Sequence, residues 1–337
     1  MKAFALTRYS KTGGVAEIDI PVPPLRDGDV LVQVYATSIN PLDLKIQHGE
    51  LKPLLPYKLP LVLGNDVAGV VVQTGPGVHR FKPGDHVYAK PSQDRIGTFA
   101  EYIAISESDV ALKPDELTME EAASLPLVAL TAWQSLVEAA GLQPGQTVLI
   151  HAGSGGLGTV AIQLAKHLGA TVATTTSSTN IGWVKDLGAD IVIDYKTQDF
   201  STILRDIDVV LDTQGGDTLN KSLLVLKSGG KVISVAGPPE PAFARDFGAN
   251  WFLVQAIRAL SLGIRRKAKR RGVTYSFLFM TASGDQLREI RTLVDTGVIR
   301  PVIDRVFPFA STLDALAYVG TGRAKGKVVV SVATPTP

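Results

Sequence analysis

Residues 146–176 read QTVLIHAGSGGLGTVAIQLAKHLGATVATTT, and this stretch constrains the fold more than any other. A β-branched and apolar run through Thr147, Val148, Leu149 and Ile150 stops at Gly153-Ser154-Gly155-Gly156-Leu157-Gly158. An amphipathic pattern then continues through Val160, Ile162, Leu164, Ala165 and Leu168 until Gly169 closes it. That order predicts strand, tight turn, helix and second strand. Gly153, Gly155 and Gly158 fit G-x-G-x-x-G in the setting that gives the pattern its meaning. There the backbone must approach a pyrophosphate, and the following helix presents its positive end to it. An ordinary glycine-rich turn is the alternative reading; the legible strand before and helix after weigh against it.

The second strand, 171–175, should end near the ribose of the adenosine half, where an enzyme for the unphosphorylated cofactor places a carboxylate on the 2′-hydroxyl. Here the chain reads Thr175, Thr176, Ser177, Ser178, Thr179, Asn180, and no acid lies between the glycine turn and Asp186. Hydroxyls and an amide can donate to a 2′-phosphate that a carboxylate would repel, so NADP(H) is favoured over NAD, although no arginine stands by to clamp the phosphate.

A chain of 337 residues suits two domains. It has no cysteine, which excludes disulfides, thiolate catalysis and cysteine-ligated metals together. A net charge of +2 gives no general attraction to nucleic acid, and none is expected as a partner. The start, MKAFALTRYS, lacks the apolar core of a secretory signal, and no run reaches the length of a membrane span, so a cytoplasmic protein without a transmembrane segment is expected.

The first part of the chain alternates short strand candidates, 2–7, 16–20, 30–36, 67–74, 86–89 and 100–105, with Pro and Gly punctuation, which reads as a β-rich, barrel-like domain. From about Ala122 the pattern becomes α/β. A long helix is expected over 120–142, interrupted early by Pro126. Further strands are expected at 191–193, 209–211, 231–235 and 276–280, with helices at 182–187, 218–226 and 249–262 between them. Six parallel strands with helices on both faces follow from that alternation. A helix over 285–296 and a strand at 302–307 come after.

Asn40-Pro41-Leu42-Asp43-Leu44-Lys45 and Leu63-Gly64-Asn65-Asp66-Val67-Ala68-Gly69 are the polar islands of the first domain. Alone they read as a helix start and a turn. In the order SINPLDLK, LPLVLGNDVAGVV, KPGDHVYA, GTFAEY, AASLPLVALTAW, AGSGGLG, LGAD, VVLDTQGG and GVIRPVIDRVFPFASTLDALAYVGTGRAKGKVVV, the chain resembles the medium-chain dehydrogenase/reductase superfamily. Within it, the likeness is to the zinc-free quinone oxidoreductase and enone reductase branch. Zinc-dependent members carry a cysteine where this chain has Asn40, and Gly-His-Glu where it has Gly64-Asn65-Asp66; the four-cysteine zinc lobe is absent too. Asn and Asp without His or Cys are a poor zinc set.

The resemblance implies a discontinuous GroES-like catalytic domain, 1–124 and 284–337, and a Rossmann domain, 125–283, with the nicotinamide in the cleft between them. It implies an NADPH-dependent reductase of a quinone or of the C=C bond of an enone or enal. Asn40 and Lys45 are the candidate catalytic residues, Lys45 as donor to the enolate oxygen; a surface lysine is the other reading of Lys45, with Tyr57 or solvent then supplying the proton. For the cofactor, it assigns Ser154, Gly155, Gly156, Leu157 and Gly158 to the pyrophosphate and Thr176, Ser177, Asn180 and Tyr195 to the adenosine phosphate. Thr131, Ala236, Gly237, Phe277, Leu278, Phe279 and Lys327 fall near the nicotinamide half. A homodimer is expected, because the strand at 276–280 reads as apolar on both faces and the family places it at the sheet edge. A cofactor-binding protein with little turnover, associated with nucleic acid or membrane, is the alternative. The basic run Arg265-Arg266-Lys267-Ala268-Lys269-Arg270-Arg271 bears on that alternative and reads here as a solvated linker.

Overall fold

Two hydrophobic rhythms divide the chain, and the computed structural model, which describes residues 1–333, follows both. Where apolar residues alternate under Pro and Gly punctuation, short strands form: β1 (Lys2–Leu6), β2 (Val15–Asp19), β3 (Asp29–Ile39), then α1 (Pro41–His48), β4 (Leu61–Val62), β5 (Asp66–Thr74), β6 (His86–Ala89), β7 (Tyr102–Ser106) and β8 (Val110–Leu112). Helices α2 (Met119–Ala123) and α3 (Pro126–Trp133) lead to the second rhythm: β9 (Thr147–Ile150), α4 (Gly156–His167), β10 (Thr171–Thr176), α5 (Ile181–Asp186), β11 (Ile191–Asp194), α6 (Phe200–Ile203), β12 (Ile207–Asp212), α7 (Gly216–Val225), β13 (Leu226–Ser234), α8 (Pro241–Asp246), α9 (Trp251–Arg270) and β14 (Thr274–Phe277). The chain closes with α10 (Gly284–Asp295), β15 (Ile303–Pro308), α11 (Thr312–Gly320) and β16 (Lys327–Ser331).

These elements form two compact units: Met1–Leu130 with the chain from Thr281 onward, and Thr131–Met280. The expected divisions are 124/125 and 283/284; here the first falls inside α3, which runs from Pro126 to Trp133. Residues 334–337 lie outside the described residues. In the first unit a sheet of order β15-β16-β3-β5-β6-β8, with β7 also on β3, stands beside a smaller sheet of order β2-β1-β4. Val30, Val32, Val34, Val67, Val71 and Val87 are fully buried in its core. Helix α1 starts at Pro41, whose fixed φ suits a first helical position, and ends at Gly49 with φ 79°, whose N–H bonds Ile46 O. Helix α2 is held by a capping box: Thr118 N donates to Glu121 Oε2 at 2.9 Å and Glu121 N to Thr118 Oγ1 at 3.2 Å. Such a cap stabilises by about 1 kcal/mol.

The expected long helix over 120–142 is three pieces: α2, α3 and a π-helical stretch, Gln134–Ala139. Pro126 has no N–H for the ladder and so opens a new helix.

The second unit holds the six parallel strands, in the order β11-β10-β9-β12-β13-β14. Val148, Leu149, Ile150, Val172 and Ala173 are fully buried, as strands covered on both faces require. Chain order reverses between β9 and β12, so the ligand crevice belongs at the carboxyl ends there. Two expectations fail in this unit. The helix expected to end at 262 continues to Arg270, because Val254, Ile257, Ser261, Ile264 and Ala268 keep one buried stripe right through the basic residues. The basic run is therefore helix, not linker. The last strand is β14, not 276–280, and it alternates, with Thr274 exposed and Tyr275 buried. Leu278 N still bonds Ser234 O at 2.9 Å, after which Phe279 packs on Phe243 and Phe247 of the α8 region at centroid distances of 5.6 and 5.5 Å.

Candidate functional site

The turn after β9 opens beside β12, at the reversal point of the sheet. Its left-handed residue is Ala152, φ 54°, rather than a glycine of the motif. Gly153 and Gly158 are needed for space instead: a Cβ on Gly153 would stand 2.2 Å from Thr174 Oγ1, and one on Gly158 would stand 2.3 Å from Ala152 O. Gly155 serves differently. It is the N-cap of α4, makes no side-chain cap bond, and a Cβ there would meet only Ala152 O at 3.3 Å. The N–H groups of Gly156, Leu157 and Gly158 lack intrahelical acceptors, and the first turn of α4 carries no acid. Ser154 and Leu157, both half-buried, flank them. Backbone donors, a positive helix end and no repelling carboxylate together fit a diphosphate.

At the end of β10 the Thr176 Oγ1 is buried and has no hydrogen-bond partner among the described residues. Asn180 Nδ2 donates to Ser177 Oγ at 3.1 Å, and Tyr195 N to Thr176 O at 3.1 Å, so the four expected residues come together at the ends of two neighbouring strands. Asp194 pairs opposite Thr176, but its carboxylate accepts from Lys196 N at 3.0 Å within its own turn. An unpartnered hydroxyl among neutral donors, with no outward carboxylate, fits a phosphorylated ribose.

Ala236 and Gly237 follow β13, where both N–H groups donate to Ser234 Oγ, at 3.3 and 2.7 Å. Ser234 in turn donates to Asp212 Oδ2 at 2.6 Å, and burial raises the Asp212 carboxyl above its ordinary range. Phe277 ends β14 and Leu278 and Phe279 follow it, all three half-buried, and Thr131 is buried in α3. Lys327 belongs to the other unit.

There the sheet register builds a second polar centre. β5 pairs Asp66 with Ser38 at the end of β3, and β16 pairs Val328 with Ile39 on the other side, so Asp66 and Lys327 flank Asn40. Lys327 Nζ donates to Asn40 Oδ1 at 2.5 Å and to Asp66 Oδ2 at 3.2 Å. Asn40 Nδ2 donates to Asp66 Oδ2 at 2.7 Å and to Ser38 O at 3.4 Å. Asp66 also accepts from Ser38 Oγ at 2.6 Å and from Leu127 N at 2.7 Å. Asn40 stands at the N-cap of α1, yet its side chain is turned from the helix to this cluster; it is the Asp43 carboxylate that accepts from Asn40 N at 2.7 Å. Asn65 Nδ2 donates to Asp43 Oδ1 at 2.7 Å, while Asn65 Oδ1 is buried with no partner among the described residues.

Lys45, by contrast, is half-exposed on α1, and its ammonium makes no hydrogen bond or ion pair among the described residues. At roughly 100° of turn per residue it lies about 200° round the helix from Asp43. The structure brings Asn40 and Lys327 together, and among the described residues Lys45 makes no hydrogen bond to either.

Sequence reading missed Asp43, Asp66 and Lys90 as members of this centre. Lys90 follows β6 one step past the pair Val67–Ala89, is fully buried, and donates to Gln93 Oε1 at 3.0 Å. Gln93 Nε2 donates to Tyr57 Oη at 2.7 Å, and Tyr57 Oη to Gln93 O at 2.7 Å. Burial, with the nearby Asp66 carboxylate as a lesser cause, raises Asp43 from 3.8 to about 6 against the bonds from Asn40 and Asn65. Burial lowers Lys90 to about 8 against the pull of Asp66 and other carboxylates. The Asn40-to-Asp43 spacing of a helix start was the one signal for Asp43; Lys90 had none.

Two family models match the chain: an alcohol dehydrogenase GroES-like domain over residues 26–115, and a zinc-binding dehydrogenase over 187–330. A zebrafish (Danio rerio) protein named NAD(P)H oxidoreductase RTN4IP1, mitochondrial, is 36% identical over 96% of this chain and 87% of its own. The Arabidopsis thaliana NADPH-dependent alkenal/one oxidoreductase, chloroplastic, is 36% identical over 98% of this chain and 79% of its own. Among solved structures, the quinone oxidoreductase of Coxiella burnetii superposes with a TM-score of 0.87, at 31% identity, over 99% of both chains.

Proposed function

The chain belongs to the zinc-free branch of the medium-chain dehydrogenase/reductase superfamily, and on that premise we propose that it reduces quinones or the C=C bond of α,β-unsaturated carbonyls with NADPH. NADPH, when bound, supplies the hydride. The residues that would hold it are the N–H groups of Gly156, Leu157 and Gly158 for the diphosphate and Thr176, Ser177, Asn180 and Tyr195 for the phosphorylated ribose.

The observation that carries the reading is the buried ammonium of Lys327, fixed by Asn40 and Asp66. Reduction at the β-carbon of an enone drives negative charge onto the carbonyl oxygen, and a donor fixed in advance lowers that barrier. Lys327 has three N–H groups and uses two on these partners, so one is left to donate. The charge a zinc ion would supply in relatives that oxidise alcohols is carried here by an amino acid. Asn40, with both of its amide hydrogens and its oxygen engaged, holds Lys327 and Asp66 in place. We keep Lys45 as the second candidate donor, on the solvent side of α1.

Assays of NADPH consumption with a quinone, an enal, an enone and a simple alcohol test the reading. Turnover of the first three, surviving dialysis against a chelator, is expected; zinc-dependent alcohol oxidation would overturn it, and NADPH binding without any turnover would favour the cofactor-binding alternative. We propose in addition a homodimer, argued from β14 at the sheet edge, for which light scattering gives the mass. A cytoplasmic location is the last part of the proposal; cell fractionation tests it, and the mitochondrial and chloroplastic names of the relatives weigh against it.

A further inference from the structure

From Trp251 to Arg271 the chain carries seven basic residues and no acidic one, and the structure makes nearly all of this segment one helix, α9. Its buried stripe faces the core of the second unit. Off that stripe the first three turns bare large apolar side chains: Trp251, Phe252 and Leu260 are 66, 77 and 64% exposed. The Trp251 and Phe252 rings pack edge to face at 5.1 Å, forming a single apolar knob. On one flank Arg258 and Arg265 join Arg245 of α8 around a concavity of about 320 Å³, shared with Glu240 and Leu262. None of the three guanidinium groups has a hydrogen bond or ion pair among the described residues, while the Glu240 carboxylate accepts from Phe277 N at 3.2 Å.

Large apolar side chains bare on a helix, beside arginines that make no ion pair among the described residues, suit a partner that is apolar and anionic at once. We propose that α9 and α8 form a peripheral docking surface for an anionic phospholipid bilayer. Trp251, Phe252 and Leu260 enter the boundary between headgroups and acyl chains, and Arg245, Arg258 and Arg265 receive the lipid phosphates. No helix of the described residues is long and apolar enough to cross a membrane, so the helix lies on the surface. A nucleic acid would satisfy the arginines and leave the aromatic knob in water. A second copy paired antiparallel along α9 would set the apolar half of one helix on the basic half of the other.

The test uses the full chain, sedimented with vesicles of phosphatidylcholine alone and of phosphatidylcholine with phosphatidylglycerol. Binding to the anionic vesicles only, weakened by salt, is expected. Each basic side chain near such a surface contributes about fivefold to partitioning, so Arg258→Glu with Arg265→Glu should lower it by at least about 25-fold. Trp251→Ala with Phe252→Ala should abolish binding while NADPH-dependent turnover and the mass by light scattering stay as in the parent. The proposal falls if the anionic vesicles are not bound, or if both variants bind them like the parent. It falls too if the aromatic variant halves the mass, since the face then joins two copies. Tighter binding of a duplex oligonucleotide than of vesicles, or equal binding to both vesicle types with capture of inorganic phosphate, would likewise overturn it.

Discussion

The turn over 152–158 and the centre around Asn40 hold charge in opposite ways. The turn buries no ionised side chain: its donors are backbone N–H groups, and its glycines matter for the space they leave, with 2.2 and 2.3 Å contacts waiting for any Cβ at Gly153 and Gly158. The centre buries the side chains of Asp43, Asp66, Lys90 and Lys327, at no more than 5% exposure each, and relies on every one having its partners. A site made of backbone is spoiled by added atoms. A site made of buried charge is spoiled by removed ones, because the partner left behind is desolvated and unpaired.

That contrast can be broken at several points. Lys327→Met leaves Asp66 buried without its cation and should destabilise the fold by about 3–5 kcal/mol in chemical denaturation, largely restored by adding Asp66→Asn. A loss below about 1 kcal/mol would mean that the centre is not held by its charges.

Folded Asp43 keeps its proton up to about 6 where the unfolded carboxyl releases it near 3.8, so this group's contribution to stability is present at low pH and lost as pH rises between the two values. Folded Lys90 releases its proton at about 8 where the unfolded amine keeps it to 10.5, so stability lost by burying that charge is regained as pH rises between those values. Each swing is about 3 kcal/mol. The stability of the parent minus that of Lys90→Met, measured from pH 7 to 10.5, should rise toward the alkaline end; a flat difference would contradict the burial of a charged Lys90.

The glycines sharpen the other side. Gly158→Ala drives a Cβ onto Ala152 O and should cost about 2 kcal/mol of stability. Gly155→Ala meets only a 3.3 Å contact, so its melting temperature should stay near the parent's while NADPH affinity falls, as measured by calorimetry. If both variants melt alike, the two glycines do not play different parts. At the neighbouring strand end, Ser177→Asp should turn a preference for NADPH into one for NADH. With each charge-assisted bond worth about 1.5–3 kcal/mol, the parent preference should be tens of fold.

These two regions also differ in how far the sequence disclosed them. The turn is contiguous, and so is the acid-free end of β10, so spacing alone located both, along with the six-stranded parallel sheet. The centre is assembled across the chain: Lys327 and Asn40 are 287 residues apart and meet only because β16 pairs with β3. Proximity along the motif drew attention to Lys45, whose ammonium makes no hydrogen bond or ion pair among the described residues. In α9 the polarity of the basic run hid a helix whose signal was present in Ile264 and Ala268, spaced to continue the buried stripe.

The account rests on an ammonium, not a metal, meeting the charge that develops on the substrate. Enone reduction by the parent, Lys327→Met and Lys45→Met proteins in chelator-treated buffer tests this directly, with NADPH affinity measured in parallel. Lys327→Met should lose about 10²-fold or more in kcat at nearly unchanged NADPH affinity, and Lys45→Met should lose less. A Lys327→Met enzyme within about twofold of the parent, or one that zinc restores, would contradict the account.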